Sequence, residues 1–346
     1  MKPIFAITMG DPAGIGPEIV VKALSHKEIY EICIPVVIGD FEALSDAIRF
    51  CGSDLALSEI ADAGDAAGKH GVIDLIDLRF LTKNSWKYKE VSQLCGKASF
   101  GYVRRSIELA MANAVDGVIT GPICKESINK AGFSYSGHTE IFAQFTGTKE
   151  YGMLLMSGNL RIIHVTTHVP LRKACQLITC ERVYSTIKLA DKAAAALGIA
   201  SPRIAVAGLN PHAGEEGLFG EEEKTAIIPA IDKAVAEGIN AEGPLPPDTV
   251  FVKALSGMYD IVVAMYHDQG HIPVKLCGFK PSTEENSISS VSGVNCTIGL
   301  PIIRVSVDHG TAFDIAGEGR ADEGSMLDAI KICVAMARSR HASMGG

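Results

Sequence analysis

Short, mainly apolar runs alternate with helix-spaced stretches along most of this 346-residue chain. Residues 4–9, 34–38, 72–76, 117–120 and 203–207 are such runs, bounded by Gly, Pro or polar residues, and predict strands. The central run, 259–265, predicts a buried parallel strand. Between the runs, residues 18–24, 41–50, 100–114, 180–197, 221–236 and 325–338 carry helical patterns. Pro17 and Glu18 suit the start of the first helix, and Gly198 the stop after the fourth. The runs 152–157 and 161–166 flank Gly158-Asn159 and predict a hairpin. Residues 294–298 and 301–306 predict the last strands. Strands alternating with helices predict an α/β protein. The stretch 243–249 is a proline-rich loop, and 280–293 is serine-rich and aperiodic, which predicts a flexible surface loop.

Polar residues gather where these strands end. Ala264 to Lys275 reads A-M-Y-H-D-Q-G-H-I-P-V-K and follows the central run directly. Loops at the carboxyl ends of parallel strands carry chemistry because the strands hold them still. His168, His212 and His267 share one context: each lies just past an apolar strand. Imidazoles brought to one sheet rim bind a borderline divalent ion; three separate loop histidines bonded to backbone or water are the other reading. Asp248 and Asp268 are candidate polarising groups beside them. His138 and Thr139 offer hydrogen-bond donors in another loop, and His271 adds an imidazole near His267. Lys125, Lys275 and Arg304 are candidate anion holders, each equally readable as a surface cation. The turn Gly10 to Pro17 joins a strand to a helix but lacks both the G-x-G-x-x-G order and a Walker lysine. It either packs helix on strand or also lines the site. No G-x-S-x-G elbow occurs, and Cys124 and Cys296 read as packing residues.

Composition narrows the class. The chain is 47% hydrophobic and 21% charged, which suits a compact α/β enzyme of two lobes and not a disordered chain. A net charge of −8 without a basic block argues against nucleic acid or an anionic membrane as partner. No uncharged apolar run reaches transmembrane length, and the opening stretch turns polar too soon for a signal peptide. Nine cysteines without a C-x-x-C pair read as reduced thiols of a cytoplasmic protein.

Seven segments in order carry a resemblance. They are Gly10 to Pro17, Thr120-Gly121-Pro122, Gly137-His138-Thr139-Glu140, Thr167-His168, Asn210 to Glu215, Tyr266 to Gly270 and Asp308-His309-Gly310-Thr311. With these the chain resembles the 4-hydroxythreonine-4-phosphate dehydrogenase family, including its relatives that oxidise 4-phospho-D-threonate or 4-phospho-D-erythronate. The resemblance spans about residues 4–338. It implies an isocitrate/isopropylmalate-dehydrogenase-like α/β/α fold in two domains, with NAD or NADP bound in a non-Rossmann way. It implies lobes of residues 1–135 with 305–346, and of 136–304, the second carrying the dimer interface and most ligands. It implies a homodimer with shared active sites and one divalent metal per subunit (Zn, Mg, Co or Mn) on His168, His212 and His267. His138, Thr139, Lys275, Asn295 and Arg304 match substrate-binding positions, and Asp248, Asp268 and Lys275 are the catalytic candidates. The cofactor-binding residues are not assigned.

The implied reaction oxidises the C3 hydroxyl of a 4-phosphorylated four-carbon acid and then releases carbon dioxide. Three segments lean towards a hydroxyl at C2, as in 4-phospho-D-threonate or 4-phospho-D-erythronate. These are Tyr266 to Pro273, Thr8 to Pro12 and Thr311 to Ala316. The alternatives are 4-phosphohydroxy-L-threonine, the amino acid of pyridoxal 5'-phosphate biosynthesis, and a metal-free phospho-sugar-acid binding module. The serine-rich stretch near 281–292 departs from the biosynthetic pattern.

Overall fold

The computed structural model describes residues 2–281 and 288–344. The chain opens with β1 (Ile4–Thr8), α1 (Gly16–Leu24), α2 (Lys27–Ile32), β2 (Ile34–Gly39) and α3 (Phe41–Phe50). There follow β3 (Ala56–Glu59), β4 (Val72–Asp77), α4 (Gln93–Met111), β5 (Gly117–Thr120), α5 (Lys125–Lys130) and α6 (His138–Phe145). The next stretch holds β6 (Gly152–Ser157), β7 (Leu160–His164), α7 (Leu171–Leu177), α8 (Cys180–Ala196), β8 (Ile204–Ala207), α9 (Ile228–Ala236) and β9 (Ala241–Leu245). It continues through α10 (Val250–Leu255), β10 (Ile261–Ala264), α11 (His267–Gly278), β11 (Phe279–Pro281), β12 (Ile288–Val291) and β13 (Val294–Ile298). The last elements are β14 (Arg304–Val307) and α12 (Gly324–Met344).

The chain divides into two compact units. One takes residues through Lys149, then Ser289–Val294 and the stretch from Leu300 onward; the other takes Glu150–Ile288 and Asn295–Gly299. The lobes expected from the sequence divide after residues 135 and 304. The first unit therefore takes in His138 and Thr139, and also β14 with Arg304.

In the first unit the strands run β3-β4-β2-β1-β5-β14, and each neighbouring pair is parallel. Its inner strands are buried on both faces, while the edge strand β3 is not: Phe5, Ile7, Val36, Ile38, Ile119 and Val305 are at most 1% exposed. Each such side chain contributes about 1.5–3 kcal/mol on leaving water. Ser92 caps α4 by accepting from the Cys95 amide, which is why this helix starts well before the pattern at residue 100. Gly96 lets α4 cross α5 closely; a Cβ there would lie 1.9 Å from the Ser127 carbonyl oxygen.

Asp40, at the end of β2, binds this unit together. It is 1% exposed, accepts from the Leu81 amide at 2.8 Å, and accepts from the Tyr102 hydroxyl. Burial pushes its carboxyl up to about 6, against the pull of Leu81 and Tyr102. The protonated acid is thus favoured in the fold. Its contribution to stability is fully present below pH ~4 and is lost as pH rises through ~6. The difference in thermal midpoint between Asp40→Asn and the parent is expected to move in the variant's favour from pH 4 to pH 7. A difference that stays constant with pH would refute this.

In the second unit the order is β13-β6-β7-β10-β8-β9. β6 and β7 form the expected antiparallel hairpin, while β10 lies parallel to β7 and β8, and β8 to β9. The core gathers Leu155, Ile162, Ala205, Val262 and Val274.

Several sequence expectations change. Residues 267–278 form a helix directly after β10, not a loop. His138 and Thr139 open a helix too. The predicted helix 221–236 begins with a π-helical segment, Glu223–Ile227, before α9. Residues 241–245 pair with β8 as an edge strand, although the segment contains Pro244. β3 and α7 carry no strong pattern, and the sequence reading missed them. Of the serine-rich stretch, residues 282–287 lie outside the described residues, while Ile288–Val291 is a strand. None of the nine cysteines is in a disulfide. Among the described residues no helix is long and apolar enough to cross a membrane.

Candidate active site

Histidines follow three parallel strands of the second unit: His168 after β7, His212 after β8 and His267 after β10. β10 leads straight into α11, whose first residue is His267. From there His267, His271 and Lys275 recur every four residues and fall on one helical face. The His271 ring stacks on His267 at 3.6 Å and 12°. His168, past the end of β7, lies 5.5 Å from His267 on the other side. His164, the last residue of β7, lies 4.9 Å from His271. Four imidazoles therefore stand in a row: His168, His267, His271 and His164. The fourth was not foreseen, because His164 sits inside an apolar strand where the period-two pattern hides it.

Each ring is held differently. His267 Nδ1 donates to Asp268 Oδ1 at 2.6 Å, so Nε2 is left as the basic nitrogen. That carboxylate–imidazole pair is the arrangement that orients a metal-binding histidine. His271 Nδ1 donates to the His267 carbonyl at 2.9 Å. His164 is 2% exposed, and burial first, then His271, lowers its imidazole to about 3, so it is neutral. Gly270 makes room for it: a Cβ there would lie 2.3 Å from His164 Nε2.

His212 lies elsewhere in the same unit. It is exposed, and its ring stands 6.2 Å from Phe219. With Ala213, Glu215, Glu216, Pro244 and Pro246 it lines an open cavity of 540 Å³. Among the described residues no three His, Cys, Asp or Glu side chains come close enough to hold a metal ion. The chain as folded thus brings His168 and His267 together but not His212. The backbone at His212 is unusual: His212, Ala213, Glu215 and Glu216 have φ of 52°, 56°, 41° and 55°. Left-handed backbone costs about 1–2 kcal/mol per non-glycine residue, so this turn must be held by its surroundings.

The buried carboxylate of Glu223 holds it. Glu223 is 3% exposed and accepts from the amides of Leu209 and Asn210 at 2.8 Å each, and from Asn210 Nδ2 at 2.9 Å. Hydrogen bonds to a charged group contribute about 1.5–3 kcal/mol each. The sequence reading took Glu223 only as an acidic residue at a helix front.

The remaining candidates of this unit are spread out. Asp268 is 71% exposed and serves His267. Lys275 Nζ lies 4.6 Å from the Phe279 ring centroid. Asp248 is exposed on the turn before α10. Asn295 is half-buried on β13.

The first unit holds a separate set of cations. Arg304 on β14 is 2% exposed, donates to Thr120 Oγ1 at 2.9 Å and lies 5.5 Å over the Phe142 ring. His138 opens α6 with Thr139 beside it, and its Nε2 is enclosed without a hydrogen-bond partner. Burial, then the charges of Arg304 and Lys125, holds its imidazole well below the usual histidine range. A guanidinium, an ammonium and an imidazole facing one another form a seat for an anion.

The Gly10 turn is closed by its own backbone. A Cβ at Gly10 would lie 2.4 Å from the Pro122 carbonyl, and one at Gly16 would lie 2.0 Å from that of Met9. Asp11 closes the same turn, accepting from the Ala13 amide at 2.9 Å.

Known proteins match along the whole of this architecture. The chain is 46% identical over 330 residues to the D-threonate 4-phosphate dehydrogenase of Cupriavidus necator, covering 95% of this chain and 96% of that one. A crystal structure of a 4-hydroxythreonine-4-phosphate dehydrogenase from Klebsiella pneumoniae is 42% identical with a TM-score of 0.86, covering 97% and 98% of the two chains. One from Burkholderia phymatum is 44% identical with a TM-score of 0.83, at the same coverage of 97% and 98%. The model of the family described as "Pyridoxal phosphate biosynthetic protein PdxA" matches residues 31–333. The chain belongs to this PdxA family.

Proposed function

We propose that this member of the PdxA family uses His168, His212 and His267 to hold a divalent cation, and works as a homodimer. The enzyme is an NAD-dependent dehydrogenase that oxidises and decarboxylates a phosphorylated four-carbon acid. The observation that carries the metal reading is the His267 imidazole, fixed through Nδ1 by Asp268, with His168 5.5 Å away. Imidazole nitrogens are ligands for zinc, cobalt, manganese or magnesium, in falling order of softness. Bound there, the cation would supply Lewis acidity, stabilising negative charge as the C3 hydroxyl loses its proton and as carbon dioxide leaves.

The protein's own residues do the rest. Arg304 and Lys125 neutralise the phosphate or carboxylate of the acid, and His138, Thr139 and Asn295 offer hydrogen bonds to its oxygens. Hydride passes from C3 to NAD or NADP. Lys275 and Asp248 are the groups proposed to move protons, while Asp268 orients His267. The crowded Gly10 turn supports a dinucleotide bound in another way than at a Rossmann fingerprint. A second copy of the chain is proposed to bring its His212 to the His168–His267 pair. Ile272 and Leu276, 58% and 78% exposed on α11 beside His267 and Lys275, support such a partner.

Two acids fit this chemistry and differ at C2. The two solved relatives carry the amino acid's name, 4-hydroxythreonine 4-phosphate, and the family description names pyridoxal phosphate biosynthesis; together they back the amino acid over the hydroxy acid expected from the sequence. The Cupriavidus necator relative keeps the hydroxy acid, D-threonate 4-phosphate, as a second reading. A side-by-side measurement of kcat/KM for 4-phosphohydroxy-L-threonine, 4-phospho-D-threonate and 4-phospho-D-erythronate decides between them. A tenfold preference, about 1.4 kcal/mol of transition-state binding, assigns the substrate. No NAD reduction with any of the three would leave only a phospho-acid binding module.

A further inference from the structure

We propose that Gln269 and Glu223 are positioning residues that lock the turn carrying His212 to the root of the helix carrying His267. The proposal rests on the reading of these histidines as metal ligands. Gln269 lies in the first turn of α11 and is 8% exposed. Its Oε1 accepts from the Met265 amide at 2.6 Å, and its Nε2 donates to the Gly208 carbonyl at 2.8 Å. One amide thereby ties the end of β10 to the end of β8. Both polar groups of the side chain are used, so no rotation of it keeps both bonds.

Glu223 takes over where Gln269 stops. The next two amides after Gly208, those of Leu209 and Asn210, both point at Glu223 Oε1. Asn210 Nδ2 adds a bond to Oε2. The carboxylate fills the inside of the left-handed curl so closely that a Cβ on Gly214 would lie 2.7 Å from Oε2. Glu223 is also where a π-helical segment begins, a distortion that frequently marks functional positions. A continuous chain therefore runs Met265, Gln269, Gly208, Leu209, Asn210, Glu223. It fixes the turn of His212 relative to the start of α11.

The purpose follows from symmetry. In a two-fold dimer each chain would give His168 and His267 to one site and His212 to the other. Both sites then close only if the two roots keep a fixed separation within each chain. An exposed histidine on strained backbone cannot keep it unaided.

Cobalt(II) is the probe, read by its visible absorption on binding to metal-free dimer, alongside deuterium exchange at the backbone. Gln269→Leu and Glu223→Ala are expected to lose about 10–100-fold in cobalt affinity. Exchange should quicken at Met265 in the first and at Leu209 and Asn210 in the second. Glu223→Gln retains the acceptor for both amides and should stay near the parent. Faster exchange with unchanged cobalt affinity would reduce the two residues to structural ones and overturn the proposal. Should Glu223→Ala fail to fold, Gln269→Glu decides. It keeps the acceptor for Met265 and loses the donor to Gly208, so parental cobalt affinity in it would overturn the clamp. His212→Ala is the control for the underlying reading. A parent that binds no cobalt, or a His212→Ala protein that binds it fully, sinks the metal reading itself. A defective His212→Ala beside an unimpaired Glu223→Ala sinks the clamp alone.

Discussion

Replacing His212 is expected to lower kcat/KM by about a thousandfold or more while the protein stays folded. The loss corresponds to about 4 kcal/mol, the scale on which a Lewis-acid cation stabilises developing negative charge. The fold should survive because the side chain is exposed and touches chiefly the Phe219 ring. The backbone φ of 52° at this position makes asparagine the second variant of choice, since it tolerates left-handed backbone better than alanine. Both variants should show the parent's circular dichroism and thermal midpoint. Elemental analysis of the dialysed parent should find about one divalent ion per subunit. Chelation should abolish turnover and re-addition restore it. Full activity in rigorously metal-free enzyme would end the metal reading.

The second large effect is expected at Arg304. Its guanidinium is 2% exposed, braced by Thr120 and lying over Phe142, and it shares its surroundings with His138 and Lys125. Two cations held beside a neutral imidazole lower the cost of binding an anion and raise the cost of leaving the seat empty. Arg304→Lys keeps the charge but loses the planar fork. It should raise KM about 100-fold with a smaller change in kcat, because a bidentate contact to phosphate or carboxylate amounts to about 3 kcal/mol. Thr120→Val separates this from packing. It removes the brace without touching the anion, so it should lower the thermal midpoint and leave KM near the parent's. A parental KM in Arg304→Lys would exclude Arg304 from substrate binding. Lost phosphate recognition should also appear as equal turnover of phosphorylated and unphosphorylated acid.

Much of the scaffold is local and was therefore readable. The runs at 34–38, 117–120 and 259–265 are apolar because parallel strands are buried on both faces; the first two lie in observed strands, and the third contains the shorter strand Ile261–Ala264. Phe41 to Phe50 is an observed helix with the predicted bounds. The hairpin at β6 and β7 needed only two apolar runs and a short turn. Misreadings came where polar residues follow a strand. Tyr266 to Gly270 looked like a loop because its residues are polar. Yet His267, His271 and Lys275 already stood four apart, which is the signature of one helical face.

The sequence by itself determined an α/β chain, the family it resembles, and three histidines that each follow a strand. Only the tertiary structure decided what those histidines meet. It stacked His267 on His271, tilted His168 beside His267, buried His164 next to His271, and left His212 on a separate left-handed turn. It also gave Glu223 and Gln269 their partners, which lie across the turn or on another strand. The physical reason is range. Strand and helix patterns record burial every two or four residues, whereas ring stacking and buried hydrogen bonds join residues separated by whole elements, as Gln269 and Gly208 are.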